Sequence, residues 1–156
     1  MINKLKKIIN QKKTLLGVGP MSLNSVNAAI NVANKKSILL ILIASRRQVD
    51  SKIFGGGYVN NWTTQNYSKY VKKSDKKNNI ILARDHGGPW QNNFEIEQKL
   101  SLRQAMKSAK KSFKEDIDSG FKILHIDTCL GLKNPPSSSQ SLNRLFELYE
   151  FCCEYA

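Results

Sequence analysis

The residues best suited to chemistry in this sequence are an acid and an imidazole, Asp85 and His86, which stand side by side. They follow the apolar run IILAR, and Gly87-Gly88-Pro89 comes directly after them. An imidazole can hold a divalent cation while a neighbouring carboxylate moves a proton on a carbonyl substrate. The pair therefore indicates metal-assisted carbonyl chemistry, with Asp85 as a catalytic group and His86 as a metal ligand. The competing interpretation is that Asp85 caps a loop and His86 is a solvated residue at its rim.

A second carboxylate, Asp127, ends the later apolar run FKILHID. On a strand it would share a face with His125, just as Asp85 would share a face with Ala83. If that face is the inside of a barrel, the two carboxylates converge at its mouth, and Asp127 becomes a second catalytic candidate. A histidine in the middle of a strand is more often a satisfied core residue, and that is the expectation for His125.

Other residues could bind an anionic substrate. Arg46 and Arg47 end a strand; one of them could clamp a phosphate with two parallel hydrogen bonds, while the other is structural or solvated. The three glycines at 55–57 could cradle a phosphate through backbone N–H groups, or could simply form a flexible loop, since they lack the lysine and spacing of a P-loop. The glycines at 87 and 88 let the backbone approach a ligand or take a positive φ.

Four strand–helix pairs would position these residues. Apolar runs of strand length at 14–18, 37–45, 79–84 and 121–128 alternate with segments of helical periodicity at 23–35, 64–71, 101–119 and from Leu142 onward. This alternation predicts an α/β fold with a parallel sheet. In such folds ligands bind outside the carboxyl ends of the strands, where all the candidates above lie. The last helix is expected to turn Leu145, Phe146, Tyr149 and Cys152 inward, and residues 1–13 to form a basic amphipathic leader helix.

Composition narrows the class of protein. The formal net charge is +13, yet the lysine doublets are spread along the whole chain, whereas a nucleic-acid-binding surface would cluster them and interleave aromatic residues. A basic nucleic-acid-binding module is therefore the least favoured function. No apolar run reaches the ~18 residues of a membrane span. The N-terminus lacks the apolar region of a secretory signal, and the three cysteines form no CxxC pair, so we expect a cytoplasmic protein.

Four motifs follow one another along the chain: ASRRQVD at 44–50, FGGGYVNNWTT at 54–64, ARDHGGP at 83–89 and LHIDT at 124–128. Their order resembles that of the tagatose-bisphosphate aldolase subunit family, class II aldolase-like TIM barrels once labelled tagatose-6-phosphate kinases. Family members typically carry A-T-S-N-Q-V-N, G-G-Y-T-G-M-T-P, G-D-H-L-G-P and I-H-L-D-A at these places. The resemblance covers residues 14–130.

The resemblance implies a TIM-barrel fold and a role with ketose phosphates. Asp85 and His86 match the pair that in class II aldolases gives the proton-transfer acid and a zinc ligand, so the implied cofactor is a divalent metal, zinc first. A catalytic partner subunit is also implied. The substrate- or phosphate-binding candidates are then Arg46, Arg47, Gln48, Gly56, Gly57, Gly87 and Gly88.

The chain departs from the family pattern at three places. Ile43 stands where the family tends to have a glutamate, and Arg46-Arg47 replace Ser-Asn. The first-strand region, where the family usually has cysteines and a His-Pro, reads GVGPMSLNS. A closed barrel takes ~250 residues, so residues 14–156 are expected to form its N-terminal half, of about four βα units. Open strand edges would then favour a second subunit or self-association. The alternatives are a metal-dependent aldolase- or epimerase-type enzyme, and a non-catalytic subunit or truncated remnant that stabilises an aldolase partner.

Overall fold

A computed structural model of the chain describes residues 2–156, and the side chains from residue 3 onward. Met1, the first residue of the predicted leader helix, lies outside the described residues. The elements, in chain order, are α1 (Ile2–Asn10), β1 (Gly17–Val18), α2 (Leu23–Lys36), β2 (Leu40–Ser45), α3 (Thr64–Ser74), β3 (Ile80–Gly87), α4 (Asn93–Glu97), α5 (Leu102–Asp118), β4 (Ile123–Ile126) and α6 (Ser138–Tyr155). A single 3₁₀ turn, Lys52–Phe54, follows β2.

The strands form one parallel sheet in the order β1-β2-β3-β4. This order, with a helix after each strand, confirms the predicted α/β fold of four βα units. The register pairs Ser45 on β2 with Asp85 on β3, so the carboxyl ends of the two strands lie level with each other. The loops that follow these ends therefore meet at one edge of the sheet.

Side-chain hydroxyl groups fix where the helices begin. Ser22, Thr63, Ser101 and Ser137 each accept a hydrogen bond from a backbone N–H in the first turn of the following helix. The last helix, α6, begins at Ser138, before the predicted Leu142. The serine-rich segment forms a capping box, because Oε1 of Gln140 accepts a hydrogen bond from the backbone N–H of Ser137.

The main core lies between the sheet and helices α2 and α3. Leu40, Leu42 and Ala44 face these helices and are buried, whereas Ile41 and Ile43 on the opposite face are only partly buried. A second core cluster joins α5 to α6 and contains Met106, Ala109, Phe113 and Leu148. The sheet is thus covered on its helix side, and its other face corresponds to the inside of a barrel.

The predicted inward stripe of α6 is partly wrong. Leu148 is fully buried against α5, but Phe146 and Tyr149 are 54 % and 55 % exposed. The periodicity of α6 cannot separate these positions, because apolar residues occupy more than half of its circumference and only the placement of α5 decides which are covered. No helix among residues 2–156 is long and apolar enough to cross a membrane.

The two faces of α6 differ in a way that mutation can test. We expect Leu148→Ala to lower the free energy of unfolding by about 2–5 kcal/mol, because it leaves a cavity in a packed cluster. Phe146→Ala removes a larger side chain, yet in the monomer it should cost well under about 1 kcal/mol, since more than half of Phe146 is in solvent. Urea denaturation of both variants in dilute solution, where the chain is monomeric, checks this, and an equal loss in the two would contradict the placement of α6.

Candidate functional site

The predicted Asp-His pair lies at the carboxyl edge of the sheet, where β3 and β4 end. The structure brings four side chains together there, those of Asp85, His86, His125 and Asp127. Asp85, His86 and His125 each offer one ligand atom, and these atoms all lie within 4.8 Å of one another. Among the described residues, these three side chains are the ones placed closely enough to hold a metal ion together.

A bulge in β3 gives His86 its orientation. The register with β4 shifts between Arg84 and Gly87, and His86 adopts a φ of 46°. Such a left-handed conformation is uncommon for a residue other than glycine. It turns the imidazole towards β4, so that its Nδ1 lies 2.6 Å from Oδ2 of Asp127 while the ring stays about half exposed. With Nδ1 held by a carboxylate, Nε2 is the nitrogen left to face a ligand.

His125 is not the buried core residue that its mid-strand position predicts. Its side chain is 53 % exposed, and its Nδ1 lies 3.2 Å from Oδ1 of Asp85. The expectation is wrong because the inner face of β4 is not covered by any other element within residues 2–156. His125 therefore belongs with Asp85 and His86.

Asp127 is surrounded by hydrogen-bond donors. Its Oδ2 accepts from Nε2 of Gln91 at 2.8 Å as well as facing His86, and its Oδ1 accepts from the backbone N–H of Cys129 at 3.0 Å. Burial alone would raise the pKa of Asp127, but the hydrogen bonds from Cys129 and His86 outweigh it and lower the pKa below its usual value. These contacts suit a carboxylate that holds His86 in place, rather than one that faces the substrate.

A cleft of about 360 Å³ opens beside these residues. It is lined by Ser45, Arg47, His86, Gln91, Asp127, Cys129 and Leu130. Sequence reasoning missed Gln91 and Cys129. Each follows the end of a strand within a few residues, which is the one signal that could have pointed to them.

Of the two arginines expected to bind phosphate, only Arg47 lines this cleft. Arg46 is fully buried, and its guanidinium contacts Asp50, Glu95 and the carbonyl oxygen of Gly88. The prediction that Arg46 binds substrate is wrong, because its guanidinium donates its hydrogen bonds to buried groups of the protein.

The glycine loop does not present the predicted phosphate cradle. The backbone N–H groups of Gly55, Gly56 and Gly57 donate to the carbonyl oxygens of Lys52, Ser51 and Trp62, respectively. Gly57 is required for a different reason: a Cβ there would lie 2.1 Å from the carbonyl oxygen of Gln48.

The side chain of Gln48 is also turned inward. It is only 9 % exposed, and its Oε1 accepts from the backbone N–H of Ser45 at 2.8 Å. Gln48, like the glycine loop, therefore shapes the segment after β2 and does not line the cleft beside His86.

Gly87 and Gly88 serve packing between loops. A Cβ on Gly88 would lie 1.7 Å from the carbonyl oxygen of Asp127, and one on Gly87 would lie 2.5 Å from the ring of Phe113. The sequence predicts that these glycines either approach a ligand or take a positive φ, and neither of them has a positive φ. Instead, His86 and Trp90 take positive φ on either side of them.

The lowered pKa of Asp127 leads to a pH-dependent prediction. A carboxyl group whose pKa is depressed by folding stabilises the protein above its unfolded pKa of about 3.9, and this contribution is lost as the pH falls through the folded pKa. Asp127→Asn should therefore cost about 1.5–3 kcal/mol at pH 7, with the difference from the wild type shrinking below about pH 4. Urea denaturation from pH 7 down to pH 2 measures it. Asp118→Asn, at an exposed carboxylate, is the control and should change stability little at any pH.

Comparisons with known proteins bear on the fold and the family of this chain. A solved structure described as a probable tagatose 6 phosphate kinase from Sinorhizobium meliloti 1021 superposes with a TM-score of 0.76 and 19 % sequence identity. The match covers 92 % of this chain and 37 % of that one, so the chain spans well under half of its length. It supports the barrel type of the fold. Residues 4–145 match the family model described as D-tagatose-1,6-bisphosphate aldolase subunit GatZ/KbaZ-like. The chain therefore belongs to the GatZ/KbaZ-like family of D-tagatose-1,6-bisphosphate aldolase subunits, as its motifs predict.

Proposed function

We propose that this chain acts in carbohydrate metabolism as an aldolase-type subunit. It binds a divalent metal, with zinc as the favoured ion, and a ketose phosphate at the carboxyl edge of its sheet. The observation that carries the proposal is the meeting of Asp85, His86 and His125 within 4.8 Å at that edge. Family membership supports the carbohydrate role. The cleft beside the cluster is wide enough for part of a small substrate.

The donor set fits a metal of the zinc type. Two imidazoles and one carboxylate are the nitrogen and oxygen ligands that zinc takes in catalytic sites. His86, His125 and Asp85 would hold the ion, and Asp127 would orient His86 through Nδ1, as outer carboxylates do for metal-binding histidines. When bound, such a metal polarises the carbonyl oxygen of a sugar substrate.

The remaining roles follow from position. Asp85 is 35 % exposed at the mouth, so its carboxylate can reach a substrate proton when it is not acting as a ligand. Arg47 is exposed on the cleft wall and is suited to a phosphate group, because its planar guanidinium donates two parallel hydrogen bonds. Gln91 would hold Asp127 in place through its amide nitrogen.

Metal binding is the direct test. We expect calorimetry with zinc and with manganese to give one site per chain, and His86→Ala or His125→Ala to abolish it. Cys153→Ser is the control, since exposed thiols also bind zinc, and it should leave the manganese isotherm unchanged. Binding that survives both histidine variants, or no binding at all, would contradict the metal site.

A non-catalytic role in the same assembly is the second candidate. Ile43 is an apolar, partly buried residue on the inner face of β2, at the position where the family tends to have a glutamate. A chain of this kind would stabilise a partner subunit by completing its barrel. Turnover of a ketose phosphate by the metal-loaded chain would decide for the enzyme, and its absence in a chain that binds metal would decide for the supporting subunit.

We further propose that a second copy of the chain covers the open sides of the sheet. Within residues 2–156, β1 and β4 each pair with a strand on one side only. Because all strands are parallel, a two-fold rotation about the barrel axis would set β4 of each copy beside β1 of the other and give the eight strands of a closed barrel. Helix α6 exposes a stripe of Leu142, Phe146, Tyr149 and Cys153, and α2 exposes the smaller Ala28 and Val32. Large residues on one helix and small ones on the other can interdigitate.

Sedimentation over a range of concentrations tests this assembly. The wild type should shift from monomer to dimer as concentration rises, and Phe146→Lys should remain monomeric, because it places a charge in the proposed contact. Asn143→Lys adds the same charge at an exposed position beside the stripe and should still dimerise. A wild type that stays monomeric and soluble would reject self-association and leave a different subunit as the partner.

A further inference from the structure

We propose that Arg46, Asp50 and Glu95 form a positioning centre that fixes the orientation of His86 without touching it. The inference rests on the proposed function of the mouth. It gives Arg46 a role other than the substrate binding expected from the sequence, and it adds Asp50 and Glu95, for which the sequence predicts no role. All three side chains are fully buried. They join the segment after β2 to the segment after β3, and each of these segments contributes a residue, Arg47 or Gln91, to the lining of the cleft.

Arg46 is the hub of the centre. Its Nε donates to Oδ2 of Asp50 at 3.0 Å, and its Nη1 lies 2.6 Å from Oε1 of Glu95. The same Nη1 donates to the carbonyl oxygen of Gly88 at 2.7 Å. One guanidinium therefore holds two carboxylates and the backbone two residues beyond His86.

The two carboxylates accept further hydrogen bonds from other residues of the segment after β3 and from α5. Asp50 accepts from Nδ2 of Asn92 at 2.7 Å and from the hydroxyl of Ser112 on α5 at 2.5 Å. Glu95 accepts from the backbone N–H of Trp90 and from the hydroxyl of Ser108. Residues 88–95 are thus tied at Gly88, Trp90, Asn92 and Glu95 to a single cluster.

The segment held in this way controls the surroundings of His86. Gly88 lies directly against the backbone of Asp127, and Gln91 donates to the Asp127 carboxylate that also binds His86. His86 and Trp90 both have positive φ, at 46° and 59°. Such conformations persist only where the surrounding contacts over-determine them. If the centre loosens, the segment can relax, and the carboxylate that orients His86 moves with it.

Stability alone is a weak explanation for the centre. It sets two carboxylates against one guanidinium, and burial raises the pKa of Glu95 despite the opposing contacts with Arg46, Ser108 and Trp90. Replacing a buried ionic cluster with apolar residues of similar volume is often neutral or stabilising. Hydrogen bonds and ion pairs are directional, whereas apolar contacts are not. The cluster is therefore better suited than an apolar core to fix four backbone positions of an irregular segment.

The test uses the full chain with Glu95→Gln, which keeps the shape but places an amide nitrogen among donors. Ser68→Ala is the control for lost buried hydrogen bonding, because Ser68 is as buried as Glu95 but donates to the carbonyl oxygen of Ser119, away from the mouth. Nuclear magnetic resonance of the histidine side chains at one fixed pH reports the ring chemical shifts of His86 in each variant. Hydrogen exchange at the Trp90 amide and the affinity for manganese are measured on the same samples.

We expect Glu95→Gln to speed exchange at Trp90, to move the ring resonances of His86 and to weaken manganese binding about 10- to 100-fold, the range seen when outer partners of metal ligands are removed. Ser68→Ala should change the melting temperature without these effects. If Glu95→Gln does not fold, Ser108→Ala removes one donor to Glu95 and is compared with Ser68→Ala in the same way.

The ring resonances of His86 at one fixed pH keep this proposal separate from that of the metal site. A wild type that binds no manganese would reject the metal site, while His86 ring resonances that still move in Glu95→Gln would support the positioning centre. Ring resonances of His86 that are the same in wild type, Glu95→Gln and Ser68→Ala would overturn the positioning role, whatever the metal result.

Discussion

The arrangement of the loops in this structure depends on two buried guanidinium groups, each of which must be paired with oxygen atoms. Arg46 and Arg84 are both fully buried, at the end of β2 and within β3. An unpaired buried charge costs far more than a fold of this size can bear, so each arginine must meet carboxylate and carbonyl oxygens in a fixed arrangement. Arg84 takes the two oxygens of Asp116 on α5 and the carbonyl oxygens of Ala44 and Val49. Because Arg46 binds the segments after β2 and β3, the two arginines together set the loops at the carboxyl edge against α5.

Close backbone packing carries this constraint to the site. The strand bulge at His86 and the approach of Gly88 to Asp127 leave little freedom between β3 and β4. A residue with a side chain at Gly88 would separate the two segments and, with them, the imidazole of His86 from its carboxylate. The histidine conformation is thus fixed by contacts on both sides, from β4 through Asp127 and from α5 through the buried cluster. This arrangement lets an exposed residue at a sheet edge keep a defined orientation.

Local sequence patterns predict the elements of this fold because their causes are local. Thr63 begins a helix through its own hydroxyl, and the continuous apolar run SILLILIAS, at residues 37–45, is typical of a parallel strand. Asp85, His86 and Asp127 could be expected to meet because parallel strands end at one edge. The exposure of His125 and the burial of Arg46 could not, since both depend on which distant elements cover them. A basic residue after a strand looks the same in sequence whether it faces phosphate or, like Arg46, a pair of buried carboxylates.

The incomplete wall of the barrel bears on the chemistry as well as on assembly. His86 and His125 are each 53 % exposed, so water screens the charges around them. Electrostatic stabilisation of a developing enolate is much stronger where water is excluded. A chain that completes the barrel would cover Ile41 and Ile43 on the inner face and would deepen the mouth at the same time. The burial of apolar surface that drives such an association therefore also lowers the effective dielectric at the site. If the chain has the proposed aldolase-type activity, assembly and activity are expected to rise together.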